Sequence, residues 1–134
     1  NEFEWSWSAY KLHAWGQDEL LPLSQRGANW AGNGIGLTIL DSLDTLWLLG
    51  MHEEFKRAQR WVEHALNFSK DFVGSTFEIT IRALGGLLSA YALSSEPIFL
   101  ERAIDLGERL LRAFDTPSGL PMPKVHLKSG GVPE

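Results

Sequence analysis

The stretch STFEITIRALGGLLSAY, Ser75 to Tyr91, decides how this chain is read. Glu78 stands near the start of a helical pattern, and Arg82 lies four residues on, so both side chains fall on one face. Behind them runs an almost uncharged segment with two adjacent glycines, Gly85 and Gly86. A helix apolar on every side is buried on most of them. One that opens with a carboxylate and an arginine can present both to a cavity at its end. Ser75-x-x-Glu78 also fits a capping box, in which Glu78 reaches back to a free backbone N–H. The Glu78/Arg82 pair equally fits a surface ion pair worth about 0.2–0.5 kcal/mol. Spacing alone favours these structural readings, because caps are common and catalytic sites rare.

Outward from that helix, the chain reads as alternating helices. Trp7 to Leu20 carries apolar residues near a 3.6 spacing, with Pro22 just beyond. Gln25 to Gly36 is rich in Gly and Asn and predicts a loop. A second helix is expected from about Thr38 to Leu49, stopping at Gly50. A third runs from about Glu53 to Leu66, with Phe55, Ala58, Trp61, Val62, Ala65 and Leu66 on one face. The fourth covers Thr76 to Leu93. The fifth starts near Pro97 and ends at Phe114, with a stripe of Leu100, Ala103, Ile104, Leu106, Leu110 and Leu111. Asp115 to Glu134 reads as a proline-rich loop with two short extended pieces.

Helices two and four are apolar nearly all round, whereas three and five have one charged face. The unit recurs after about forty-five residues, the mark of a stacked αα-hairpin array, either a solenoid or a closed αα-barrel. Such arrays need about three neighbours to bury a core, and this chain supplies about two and a half. An isolated array of this size leaves apolar edges exposed, so the chain reads as part of something larger. Its first residue, Asn1 rather than Met, agrees with a processed or partial polypeptide.

Composition narrows the functional classes. The 134 residues, 44% hydrophobic and 22% charged, suit one core-forming domain. A net charge of −5 gives no footprint for nucleic acid. With no cysteine, disulfides within the chain are excluded and the compartment stays open. The longest uncharged apolar run, Ala83 to Leu93, is too short to span a bilayer. Asn67-Phe68-Ser69 is an N-glycosylation sequon, which matters only in the secretory pathway.

The second helix repeats the signature of the fourth. Thr38-x-x-Asp41 is again a possible capping box, and Asp44 follows on nearly the same face of LTILDSLDTLWLL. If both helices start at one rim, Asp41 and Glu78 converge on one cavity. Carboxylates at the mouth of a helical barrel suit glycoside hydrolysis. That reaction needs an acid for the leaving oxygen and a base or nucleophile across the sugar. Two independent caps, or an Asp44 paired to a backbone group, explain the same spacing. Among the six tryptophans, Trp30 sits in the Gly/Asn loop and could stack on a sugar ring; Trp5, Trp7, Trp15, Trp47 and Trp61 read as core.

Four segments then occur in order: HAWGQDELLPLS, GIGLTILDSLDTLWLLG, TFEITIRALGGLLSAYALS and LLRAFDTPSGLPMPKVHLKSG. From about Tyr10 to Gly130 the chain resembles the N-terminal part of the class I α-1,2-mannosidases, glycoside hydrolase family 47. The resemblance implies an all-α fold in which residues 1–134 form αα-hairpin repeats of an (α/α)7 barrel, the N-terminal part of one catalytic domain. It implies removal of α-1,2-linked mannose from N-glycans with inversion, in the endoplasmic reticulum or Golgi or after secretion, and a calcium ion at the barrel base. Phe77-Glu78 and Arg82 match the family's FE…R motif. By resemblance Glu78 is the catalytic acid and Arg82 a sugar contact. Asp41, in LDSLDT, is a further substrate-binding candidate.

The family is several times longer. Its base and its calcium-ligating threonine are therefore expected beyond residue 134, with a second polypeptide completing the barrel. Where members often read VNL, this chain has Val125-His126-Leu127. His126 is then either an altered contact at the rim or an exposed substitution. Two other functions compete: a mannose-binding or glycoprotein quality-control relative with weak hydrolysis, and a helical-repeat interaction scaffold.

Overall fold

The structure, a computed structural model, describes residues 1–30 and 32–130. Residues 131–134 of the expected C-terminal loop lie outside the described residues. Helix α1 spans Glu2–His13, β1 Glu19–Leu21, β2 Arg26–Ala28, α2 Leu37–Leu48 and α3 His52–His64. Strand β3 (Val73–Ser75) leads into a long helix in three parts: α4 (Thr76–Ile79), a π turn (Thr80–Leu84) and α5 (Gly85–Ser94). Helix α6 (Pro97–Leu111) ends in a 3₁₀ turn, Arg112–Phe114, and β4 is Lys124–His126.

The expected hairpins are present. Helix α2 packs on α3 and on α5, α5 on α6, and α3 on α6. That makes α2 and α4–α5 an inner pair and α3 and α6 an outer pair. The core lies between them: Ile39, Leu40, Leu43 and Leu46 of α2 meet Ala83, Leu87 and Ala90, and none of these is exposed. Gly50 stops the first inner helix with φ of 70°. Pro97 opens α6 in the first turn, where its missing N–H is harmless.

Four expectations need correction. The first helix was expected at Trp7–Leu20 but spans Glu2–His13. Asn1 and Glu4 form a reciprocal capping box at its start. The chain breaks away at Ala14 and turns at Gly16, whose φ is 84°, so Leu20 falls in β1. The Gln25–Gly36 loop contains β2, paired antiparallel with β1 from Glu19↔Ala28 to Leu21↔Arg26. Three-residue strands are too short to display an alternating pattern. Trp5, expected in the core, is 75% exposed. As expected of an incomplete array, the helix beginning at Thr76 is covered on one side only. Phe77, Ile81 and Leu88 are exposed, and with Phe114 and Met122 they mark an apolar open edge. The fourth correction is that Ala65, Ile104 and Leu111, expected on the apolar stripes of the outer helices, are exposed, while Phe99 joins the core.

One pairing links distant parts of the chain to the inner helix. Strand β3 runs antiparallel to β4, with Val73 opposite His126 and Ser75 opposite Lys124. Thr76 adds two bonds to the same segment, its N–H to the Pro123 carbonyl at 3.0 Å and its hydroxyl to that of Met122 at 2.7 Å. Among the described residues no helix is long and apolar enough to cross a membrane.

Candidate active site at the rim of the inner helices

The inner helix that carries Glu78 begins at Ser75. The Ser75 hydroxyl accepts the Glu78 N–H at 3.2 Å, the first half of a capping box. The second half does not form. The Glu78 carboxylate turns away from the backbone and accepts a bond from Arg82 Nε at 2.6 Å. Cap and ion pair therefore coexist, divided between the serine and the carboxylate.

Arg82 sits in the π turn. A π turn widens the helix by one residue and is a frequent mark of functional sites. Its guanidinium reaches Glu78 on its own helix and, through Nη1, the Asp41 carboxylate of α2 at 3.4 Å. All three side chains are about one-third to two-fifths exposed, so solvent and ligands can reach them. The expected convergence of Asp41 and Glu78 is met, with the arginine between them. Burial raises the Asp41 pKa above the ordinary carboxylate value, prevailing over the opposing bond and charge of Arg82.

The expected Thr38–Asp41 capping box is absent. Helix α2 starts one residue earlier, from Gly36 in the left-handed region at φ 70°. Thr38 instead gives both its N–H (3.1 Å) and its hydroxyl (2.7 Å) to the carbonyl of Asp18. Asp44 accepts a bond from the Ser89 hydroxyl at 2.8 Å, tying the two inner helices together one turn deeper.

Asp18 is the residue that sequence reasoning missed. It is 2% exposed. Its carboxylate accepts the N–H groups of Trp30 (3.0 Å), Ile35 (2.8 Å) and Leu37 (3.1 Å). It thereby caps α2 from outside and folds the Gly/Asn loop over the rim. That loop lays the Trp30 ring against Arg82, with the guanidinium carbon 5.1 Å from the ring centre, a cation–π contact. The available signal was the surplus of backbone donors in a glycine-rich loop before a helix, which calls for a buried acceptor.

The reading of His126 as an exposed substitution is not met. Its side chain is only 19% exposed, with Nε2 at 2.7 Å from Asp71 and Nδ1 accepting the Ser129 N–H at 3.0 Å. It pins the β4 turn. The sequon Asn67 is exposed and its side-chain oxygen accepts the Ser69 N–H at 2.7 Å.

Among the described residues no group of three or more His, Cys, Asp or Glu side chains is placed to hold a metal ion. The convergent carboxylates Asp41 and Glu78 already bracket a guanidinium, whose charge opposes a cation there.

Comparison with known proteins agrees with this geometry. The chain is 49% identical over 127 residues to the Arabidopsis thaliana mannosyl-oligosaccharide 1,2-alpha-mannosidase MNS1, covering 95% of this chain and 22% of that protein. It is 49% identical over 125 residues to the human endoplasmic reticulum mannosyl-oligosaccharide 1,2-alpha-mannosidase, covering 93% of this chain and 18% of the relative. The chain thus spans about a fifth of the length of these relatives. The solved alpha-1,2-mannosidase from Trichoderma reesei superposes with a TM-score of 0.87 at 35% identity, over 95% of this chain and 29% of that one. The family model described as glycosyl hydrolase family 47 matches residues 2–133. With hairpins, rim carboxylates and sequence in agreement, the chain belongs to glycosyl hydrolase family 47.

Proposed function

We propose that this chain is the N-terminal part of a single (α/α)7-barrel catalytic domain that removes α-1,2-linked mannose from N-glycans with inversion. The observation that carries the reading is the Glu78–Arg82–Asp41 cluster at the starts of two adjacent inner helices. In the inverting reaction the bond between mannose C1 and the leaving oxygen breaks as a water oxygen bonds to the opposite face of C1. Glu78 acts as the acid, passing its proton to the leaving oxygen directly or through one water. Arg82 and Asp41 hold sugar hydroxyls, and the free face of Trp30 stacks against a sugar ring beside them. The base that takes the water's proton belongs to the part of the barrel outside this chain.

Calcium, implied by the family, would be bound by residues outside this chain as well, and no step above passes through it. The apolar edge of Phe77, Ile81 and Leu88 is where the next hairpin docks, supplied by the continuing chain or by a second polypeptide. The secretory route is supported by the exposed sequon Asn67 and by the location in the name of the human relative.

The test is mannose release from an α-1,2-linked oligosaccharide by the complete enzyme and by residues 1–134 alone. The complete enzyme is expected to be active, and Glu78→Gln to abolish most turnover. The isolated chain is expected to be inactive and to self-associate through its open edge. Activity from residues 1–134 alone would refute the division of the site between this chain and the rest.

A further inference from the structure

Gly86 occupies a place where the two inner helices touch backbone to backbone. A Cβ at Gly86 would run into the carbonyl oxygen of Leu40, with the Leu40 carbonyl carbon at 3.0 Å and the Asp41 nitrogen at 3.7 Å. These are main-chain atoms, which no rotamer change can move aside. The adjacent Gly85 differs entirely: a Cβ there would meet only the Thr80 carbonyl oxygen at an ordinary 3.7 Å. Gly86 also lies four residues after Arg82, on the same face of the helix. The peptide it touches is the one that carries Asp41.

We propose that Gly86 is a positioning residue: by seating the Leu40–Asp41 peptide directly against the second inner helix, it sets the reach between Asp41 and Arg82. The inference rests on the reading of Asp41 and Arg82 as sugar contacts. At 3.4 Å the Asp41–Arg82 contact is already long, and a small outward shift of α2 breaks it. The Arg82–Glu78 contact is within one helix and is unaffected by such a shift. One turn deeper along α2 the Ser89–Asp44 bond spans the same two helices, so the approach at Gly86 lies within a continuous seam.

The experiment compares Gly86→Ala with Gly85→Ala in the complete enzyme. Both changes raise helix propensity equally; only the first opens the seam. Gly86→Ala is expected to raise KM about tenfold, the size of one lost charge-assisted contact, whereas Gly85→Ala leaves it within about twofold. In an Asp41→Asn background the Gly86→Ala effect should vanish, since both act on one interaction. A full tenfold rise persisting in that background, or equal effects of the two glycine changes, overturns the proposal.

A crystal structure of Gly86→Ala gives an independent reading. The Arg82–Asp41 separation should pass about 4 Å while the Arg82–Glu78 contact persists; an unchanged separation also overturns the proposal. If Asp41→Asn alone leaves KM unaltered, the sugar-contact reading falls, and this distance alone decides the positioning role. Should Gly86→Ala not fold, the crystal structure of Asp41→Glu serves instead. The Leu40 carbonyl should stay seated on Gly86 while the longer side chain displaces the Arg82 guanidinium. A Leu40 carbonyl moved away from Gly86 would show that the helices adjust freely and overturn the proposal.

Discussion

The two inner helices begin at one rim with the same sequence signature, a hydroxyl residue followed three positions later by a carboxylate, and their starts are built in opposite ways. At the start of α4 the local cap is real: Ser75 holds the Glu78 N–H, and β3 and Met122 brace the turn. Beyond it the helix departs from regular geometry at the π turn that carries Arg82. At α2 the local cap is missing, and Asp18, nineteen positions before Leu37, supplies the acceptor; beyond it α2 is regular throughout. The same motif thus marks a helix start without specifying what satisfies it. The irregular helix presents Glu78 and Arg82, and the regular one supplies the backbone against which they are placed.

Substitutions at the two starts should separate these roles. The largest effect is expected at Glu78→Gln in the complete enzyme. Turnover should fall by about 10²–10⁴, with the thermal midpoint nearly unchanged because the Ser75 cap uses the Glu78 backbone and not its carboxylate. Normal kcat with a lowered midpoint would reduce Glu78 to a structural residue. Next comes Asp18→Ala, which orphans three N–H groups at the other start. Each buried unsatisfied donor costs about 1–3 kcal/mol, so a loss of about 3 kcal/mol or more is expected in a denaturation experiment. Loss of protection at the amides of Ile35 and Leu37 should accompany it. A shift no larger than that of an ordinary surface change would mean that α2 is not capped from Asp18.

A smaller and opposite effect is expected at Asp41→Asn. A carboxyl whose folded pKa is raised contributes stability that is complete below its ordinary value of 3.8 and is lost as pH rises through the folded value. At neutral pH the ionised side chain therefore weighs against folding, and Asp41→Asn should leave the thermal midpoint equal or higher while raising KM. The advantage should shrink as the pH falls to acid; a midpoint lowered at pH 7 would contradict this sign. The smallest effect belongs to Ser75→Ala, about 1 kcal/mol for one lost N-cap, read as a modest drop in thermal midpoint.

Much of this was legible beforehand. The alternation of all-apolar and one-faced helices revealed the hairpins, and the four-residue spacing of Glu78 and Arg82 placed their pair on one face. Gly50 and Pro97 fixed a stop and a start. What escaped was non-local. Nothing near Asp18 shows that its carboxylate is used by Trp30, Ile35 and Leu37. The ribbon strands are too short for periodicity. An open edge was legible from the number of hairpins, but that Phe77, Ile81 and Leu88 form it follows from which neighbours are present and not from local pattern. The π turn likewise left no trace in the spacing of apolar residues.

The β3–β4 pairing has a consequence in time as well as in space. It closes a segment of about fifty residues that contains the whole second hairpin, and long closures form late because their ends must find each other against chain entropy. The hairpins, joined by short turns, should assemble first, and the ribbon bracing the start of α4 last. Glu78 would then acquire its final setting only at the end of folding. Pulse-labelling hydrogen exchange should show the amides paired between Val73–Ser75 and Lys124–His126 gaining protection after those of α2 and α3. Simultaneous protection would mean that the rim and the barrel wall are one cooperative unit.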